Sequence, residues 1–259
     1  MTFAEAVRQS VSPTRFAAVF GAVCAFGLAW AGSAEAVAVD VENGTMKIEG
    51  HDGVDDVTVR FRAEYVVVQA HGATPLFGSG CMPGGVDEVL CPRASIERLV
   101  AELLDGADRL RLLAALIGSA HMGAGNDVFI GGPSRQTVFG GAGMDRQYGG
   151  GGNDRLLGQG GPDRIFGGIG ADGLFGGPGN DRMFGQGGPD SMFGAAGGDW
   201  MYGGPSGDRI YGGRGPDWLY GQRGNDWLFG QQGNDRTYGG PGRDRGNGGP
   251  GFDLPKTIF

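Results

Sequence analysis

Through the second half of the chain, apolar residues return at intervals of nine. Phe129, Val138, Leu156, Ile165, Leu174, Met183, Met192, Met201, Ile210, Leu219 and Leu228 all keep one register. Arg or Trp often stands just before them and Phe or Tyr just after. Successive side chains of a strand point to opposite faces, so the middle residue of each triplet is predicted to face inward and its flanks outward. The other six residues of the unit, as in GGGGNDRLLGQGGPDRIFGG (Gly149 to Gly168), are rich in glycine and can reach φ > 0 in a tight turn. Turn, strand, turn, strand then closes one coil for every two repeats. Stacked coils predict an all-β fold: a right-handed parallel β-roll, or β-solenoid, with two thin sheets and a core one residue deep.

The polar positions keep the same clock. Asp127, Asp145, Asp154, Asp163, Asp172, Asp181, Asp190, Asp199, Asp208, Asp217, Asp226, Asp235, Asp244 and Asp253 fall in one nine-residue register, interrupted only by Gln136. Glycine stands five residues before nearly every one of them and usually again two before. Residues two repeats apart stack, so the aspartates divide into two columns, one along each edge of the roll. Carboxylates repeating at about 4.8 Å, the strand spacing, would repel one another unless a cation sat between them. Ca²⁺, which takes 6–8 oxygen ligands, suits a set of carboxylates and glycine-turn carbonyls better than Mg²⁺, which keeps its waters.

Stretches such as GGPGNDRMFG and GQRGNDWLFG resemble the RTX (haemolysin-type) calcium-binding nonapeptide, G-G-x-G-x-D-x-U-x. The resemblance covers residues 122–253. It implies that several Ca²⁺ ions bridge successive turns on each edge, through the fourteen aspartates and the turn carbonyls. Two departures stand out. Gln136 is neutral and implies a weak or empty site. Arg146, Arg155, Arg164, Arg182, Arg209, Arg236 and Arg245 directly follow aspartates and bring residues 122–259 to a net charge near neutrality, with 14 Asp against 12 Lys+Arg. That balance predicts mild repulsion in the metal-free state.

Residues 37–121 read as a divergent, β-rich N-terminal cap. Asp55, in GHDGVDDVTV, occupies the aspartate position of a degraded repeat, and Asp108, in DGADRLRL, stands one residue out of register with the array. Ile96 to Leu116 has the composition of a helix, but strands are preferred there because relatives of this kind carry a β lead-in. Cys81 and Cys91 suggest one disulfide in an oxidising compartment; two free thiols are the alternative. Residues 1–36 read as a secretory signal, with Arg8 and Arg15 before an apolar run and Ala34-Glu35-Ala36 as a cleavage site. A retained membrane anchor is the other reading, against which the apolar run is short. Leu254 to Phe259 would cap the far end.

The formal charge of −8 lacks the basic footprint of a nucleic-acid binder. No H-E-x-x-H or G-x-S-x-G occurs, so neither a zinc protease nor a lipase elbow is encoded. Arg146, Arg164, Arg182, Trp200 and Trp218 stack along one face beside Tyr202 and Tyr220. They either stabilise neighbouring strands or form a docking surface for cell-wall polymer, glycan or another surface protein. The sequence therefore points to a secreted calcium-binding repeat protein of structural or adhesive role. A carbohydrate-active solenoid enzyme, of the calcium-dependent lyase or epimerase type, is the alternative.

Overall fold

A computed structural model describes residues 37–248, apart from residues 73, 74 and 79. The expected leader, Asp253 and the C-terminal tail lie outside the described residues. Two sheets of twelve strands each face one another, and consecutive strands of the array fall alternately in one and the other. Within a sheet, neighbouring array strands are parallel and two repeats apart: Leu156 of Arg155–Gly160 lies beside Val138 on one side and Leu174 on the other. The inward residues Val138, Leu156, Leu174, Met192, Ile210 and Leu228 form one buried row, and Ile165, Met183, Met201 and Leu219 the facing one. The roll expected from the nine-residue pattern is thus the fold.

The strands are longer than the three residues expected. Most array strands run for six, as in Arg164–Ile169 and Arg182–Gly187, and take in part of the glycine segment. The corner left between strands is only about three residues. Glycines carry no side-chain alternation, so the hydrophobic pattern gives no sign that the strand continues through them.

The N-terminal segment is partly solenoid and partly hairpin. Thr45–Glu49, Arg98–Glu102 and Ile117–His121 stack in parallel in one sheet, as do Asp56–Arg62, Arg109–Leu112 and Val128–Ile130 in the other. Beyond them the pairing turns antiparallel, through Ala38–Glu42 in the first sheet and Tyr65–Ala70 and Glu88–Pro92 in the second. Ile96 to Leu116 holds two strands, Arg98–Glu102 and Arg109–Leu112, in place of a helix, preceded by the 3₁₀ turn Arg93–Ser95. Cys81 and Cys91 are bonded, with Sγ–Sγ 2.08 Å, pinning the Met82–Pro83 and Glu88–Pro92 edge. Gly118 pairs with Gln136, two full repeats ahead, whereas Arg98 pairs with Ile117, one position beyond that interval. One coil therefore holds an extra residue, within Leu113–Leu116, and Asp108 joins the aspartate column despite its offset in sequence. Among the described residues no helix is long and apolar enough to cross a membrane.

Candidate metal centre

Each array aspartate from Asp127 to Asp244 sits at a corner, just before a strand begins, and its side chain turns inward. Asp127 through Asp235 are at most 3% exposed, and Asp244 is half-buried. One carboxylate oxygen of each closes a link to the coil before. The backbone N–H of Asp145 donates to Asp163 Oδ1 at 2.8 Å, and that of Asp163 to Asp181 Oδ1 at 2.8 Å. The same bond recurs at 2.7–3.0 Å along both columns, from Asp55 N–H on Asp108 at one end to Asp226 N–H on Asp244 at the other. Gln136 joins the second column through its own N–H, which donates to Asp154 Oδ1.

The second oxygen is different. Oδ2 of Asp108, Asp127, Asp145, Asp154, Asp163, Asp172, Asp181, Asp190, Asp199, Asp208, Asp217 and Asp226 is buried without a hydrogen-bond partner. A buried polar atom left so costs roughly 1–3 kcal/mol, and twelve in register are not an accident of packing. From Asp145 onward the glycine five residues earlier makes room for it. A Cβ on Gly176 would lie 2.2 Å from Asp181 Oδ2 and 2.9 Å from the carbonyl oxygen of Gly194. From Gly140 to Gly239 the corresponding Oδ2 distance is 2.1–2.5 Å throughout. The carboxylate thus lies against bare backbone, with a carbonyl of the next coil beside it.

Burial has an electrostatic consequence. Desolvation pushes the Asp127, Asp154, Asp163, Asp181, Asp190 and Asp217 carboxyls up to about 7, partly offset by the backbone N–H each accepts, and neighbouring carboxylates add to the rise in most of them. Asp199 and Asp208 are raised to about 6 by the same burial. The arginines expected to neutralise the columns stand elsewhere. Arg146, Arg155, Arg164, Arg182 and Arg209 are exposed on the sheet faces. They reduce the net charge of the array from outside the columns, and Arg135 lowers the Asp154 carboxyl electrostatically.

Among the described residues no three carboxylate, histidine or cysteine side chains converge on one point. A cation at these corners would draw on one or two carboxylates and complete its shell with backbone carbonyls, an all-oxygen set that fits a hard ion of high coordination number. The comparison with known families agrees. A family model, the RTX calcium-binding nonapeptide repeat, matches in four copies, at residues 123–147, 148–183, 175–210 and 202–237. The array is made of RTX repeats. It binds Ca²⁺ at multiple sites. No curated protein matches the chain.

Two features of the RTX array escape the aspartate pattern. Asn126, Asn153, Asn180 and Asn225, each just before an aspartate, accept through Oδ1 from a backbone N–H one coil later: Met144, Ala171, Gly198 and Arg243, at 2.7–3.0 Å. Asparagine thus ties each corner forward while aspartate ties it backward. The recurrence of Asn at that position was a visible signal. The second feature is the aromatic face. Tyr148, Phe166, Phe184, Tyr202, Tyr220 and Tyr238 stack in one ladder with centroids 4.8–5.0 Å apart, and Trp200 stacks on Trp218 at 4.8 Å. Arg236 lies over Trp218 at 4.1 Å. Arg146, Arg164 and Arg182 continue the Trp200–Trp218 row in strand register. These rings spend their flat faces on one another, which supports strand pairing and leaves mainly their edges to solvent.

Proposed function

We propose that this is a secreted structural protein whose RTX roll is stapled coil to coil by calcium outside the cell. The observation that carries the reading is the file of buried, unpartnered Oδ2 atoms from Asp154 to Asp226, each against a bare glycine and a turn carbonyl. Asp154, Asp163, Asp172, Asp181, Asp190, Asp199, Asp208, Asp217, Asp226, Asp235 and Asp244 would hold the ions, with carbonyls of the glycine turns. Asp145 and Asp127 belong to the same column but differ in their surroundings, and Asp253 continues the same sequence register.

Bound calcium supplies positive charge where desolvated carboxylates have none. The chain's own residues do the rest. From Asp154 to Asp226 the aspartate Oδ1–N–H ladder fixes the carboxylates so that Oδ2 stays free. The glycine keeps side chains out of the site, and the asparagines hold the next corner in place. Extracellular calcium modules work with Kd on the order of 10⁻⁴–10⁻³ M. That range and the Cys81–Cys91 bond both suit an exterior compartment. Trp200, Trp227 and Ile169, exposed on the outside, support an adhesive contact with a surface polymer or protein. The array carboxylates are alike and buried, which gives a carbohydrate-active site little to work from along either edge.

Far-UV circular dichroism during titration with Ca²⁺ and then Mg²⁺ tests the proposal. A cooperative gain of β signal in millimolar Ca²⁺, absent with Mg²⁺, is expected. A spectrum that neither ion changes would refute calcium as the staple.

A further inference from the structure

A calcium corner as described needs a carboxylate with a free oxygen, a bare glycine five residues before it, and carbonyls alongside. That set breaks down repeatedly at the N-terminal end of the roll. Five residues before Asp108 and Asp127 stand Leu103 and Met122. Both are buried in the apolar core, so each carries a Cβ and an apolar side chain where later repeats have none. Gln136 replaces the next carboxylate with a neutral amide, whose Oε1 is 2.9 Å from where a Cβ on Gly131 would be. Beside Asp145 the glycine is present, but Gln147 has replaced the inward apolar residue. Its Nε2 lies 2.6 Å from the Cβ position of Gly140, and Asp145 Oδ2 lies 2.5 Å from that same point. Nε2 donates to the Leu157 carbonyl at 2.8 Å, which fixes the donor end of the amide toward the carboxylate. An amide N–H₂ suits an anion and repels a cation. Asp55, at the start of the column, already meets His51 through both oxygens, Oδ1 with Nδ1 at 2.8 Å and Oδ2 with the backbone N–H at 3.0 Å.

The first of these coils have a thicker core, while Val128–Ile130 and Gln136–Ala142 bury one apolar side chain each, Phe129 and Val138. Asp56–Arg62 buries Val57 and Val59, Tyr65–Ala70 buries Val66 and Val68, and Arg109–Leu112 buries Leu110 and Leu112. Arg155–Gly160 buries Leu156 alone among apolar side chains. More apolar area leaves water per coil before the array than within it, and this stabilisation needs no metal.

We propose that calcium dependence in this chain is one-sided. The coils up to Gln147 hold no calcium and stay folded without it, and they are the fixed base on which the coils from Asp154 onward assemble when calcium is present. The proposal rests on the reading that Asp154 to Asp244 hold the ions. It turns Leu103, Met122, Gln136 and Gln147 from lapses in a repeat into the boundary between two folding regimes.

Hydrogen–deuterium exchange of the full chain, read by mass spectrometry in chelator and in excess calcium, tests it. Asp56–Arg62, Arg98–Glu102, Arg109–Leu112 and Val128–Ile130 should be protected in both conditions. Arg155–Gly160 through Trp227–Gln232 should gain protection only with calcium. If calcium slows exchange in the base as much as in the array, the one-sided scheme is overturned while calcium binding by the array stands. If calcium slows exchange nowhere, both fall. A second variant reads the boundary directly. Gln147→Leu restores the apolar residue used elsewhere and should raise the calcium count in native mass spectrometry by one ion per chain; an unchanged count overturns the assignment of Gln147.

Discussion

The glycine five residues before each aspartate is the smallest part on which the roll depends. A methyl group at Gly176 meets Asp181 Oδ2 at 2.2 Å, so Gly176→Ala has to displace the carboxylate or the corner. Overpacking of this kind costs about 1–3 kcal/mol, and the variant should also bind fewer calcium ions. Gly173→Ala is the control. Its Cβ meets nothing nearer than Phe175 at 3.4 Å, and denaturant midpoint and calcium count should both stay near wild type. Asn180 is a separate case, because its side chain serves only the hydrogen bond from Gly198 N–H at 2.7 Å. Asn180→Ala should lower stability by about 1 kcal/mol in urea titration, with the calcium count unchanged.

At the level of the column, the buried carboxylates couple folding to pH. Burial raises them above the usual carboxylate range near 4, to about 7 for Asp163 and about 6 for Asp199. Without metal, the folded state therefore binds protons more tightly than the unfolded chain. The carboxylates' contribution to stability is fully present below about pH 4 and is lost as pH rises through 7. In chelator the urea midpoint should be higher at pH 5 than at pH 8, and saturating calcium should reverse the order. Equal midpoints in chelator would mean that the carboxylates are not desolvated as described.

How much of this was legible differs from element to element. The register of the array was plain, because residues two repeats apart stack directly and each position repeats its chemistry. The length of the strands was hidden, since Gly158 and its equivalents continue the strand with no side chain to show it. One hairpin of the cap carries its signature in the sequence: Asn43-Gly44, with φ of 50° and 75°, is the favoured two-residue turn between Ala38–Glu42 and Thr45–Glu49. The other, through Ala63 at φ 51°, carries no turn signature. The burial of the aspartates was illegible too, because polar residues at glycine corners look exposed until the coils close over them.

For the whole molecule, the cap and the array should respond to different perturbations. The Cys81–Cys91 bond closes a short loop at the sheet edge of the cap, where Cys91 is buried. Replacing both with Ser should cost about 2–3 kcal/mol in thermal unfolding of the cap and leave the calcium midpoint of the array in place. A shift in that midpoint would tie the two regions more closely than their cores suggest.

The stacking interval also governs how such a chain can lengthen. Inserting two repeats adds one whole coil and leaves every ladder continuous. Inserting a single repeat sends everything downstream to the opposite sheet, and one that lands between Tyr202 and Tyr220 separates those two rings. Asn126, Asn153 and Asn180 stand three repeats apart, as do Pro162, Pro189 and Pro216. Copying in that unit, a coil and a half, places each copy on the edge opposite its parent. A roll enlarged this way keeps its two edges alike, and inherits its symmetry from the arithmetic of duplication.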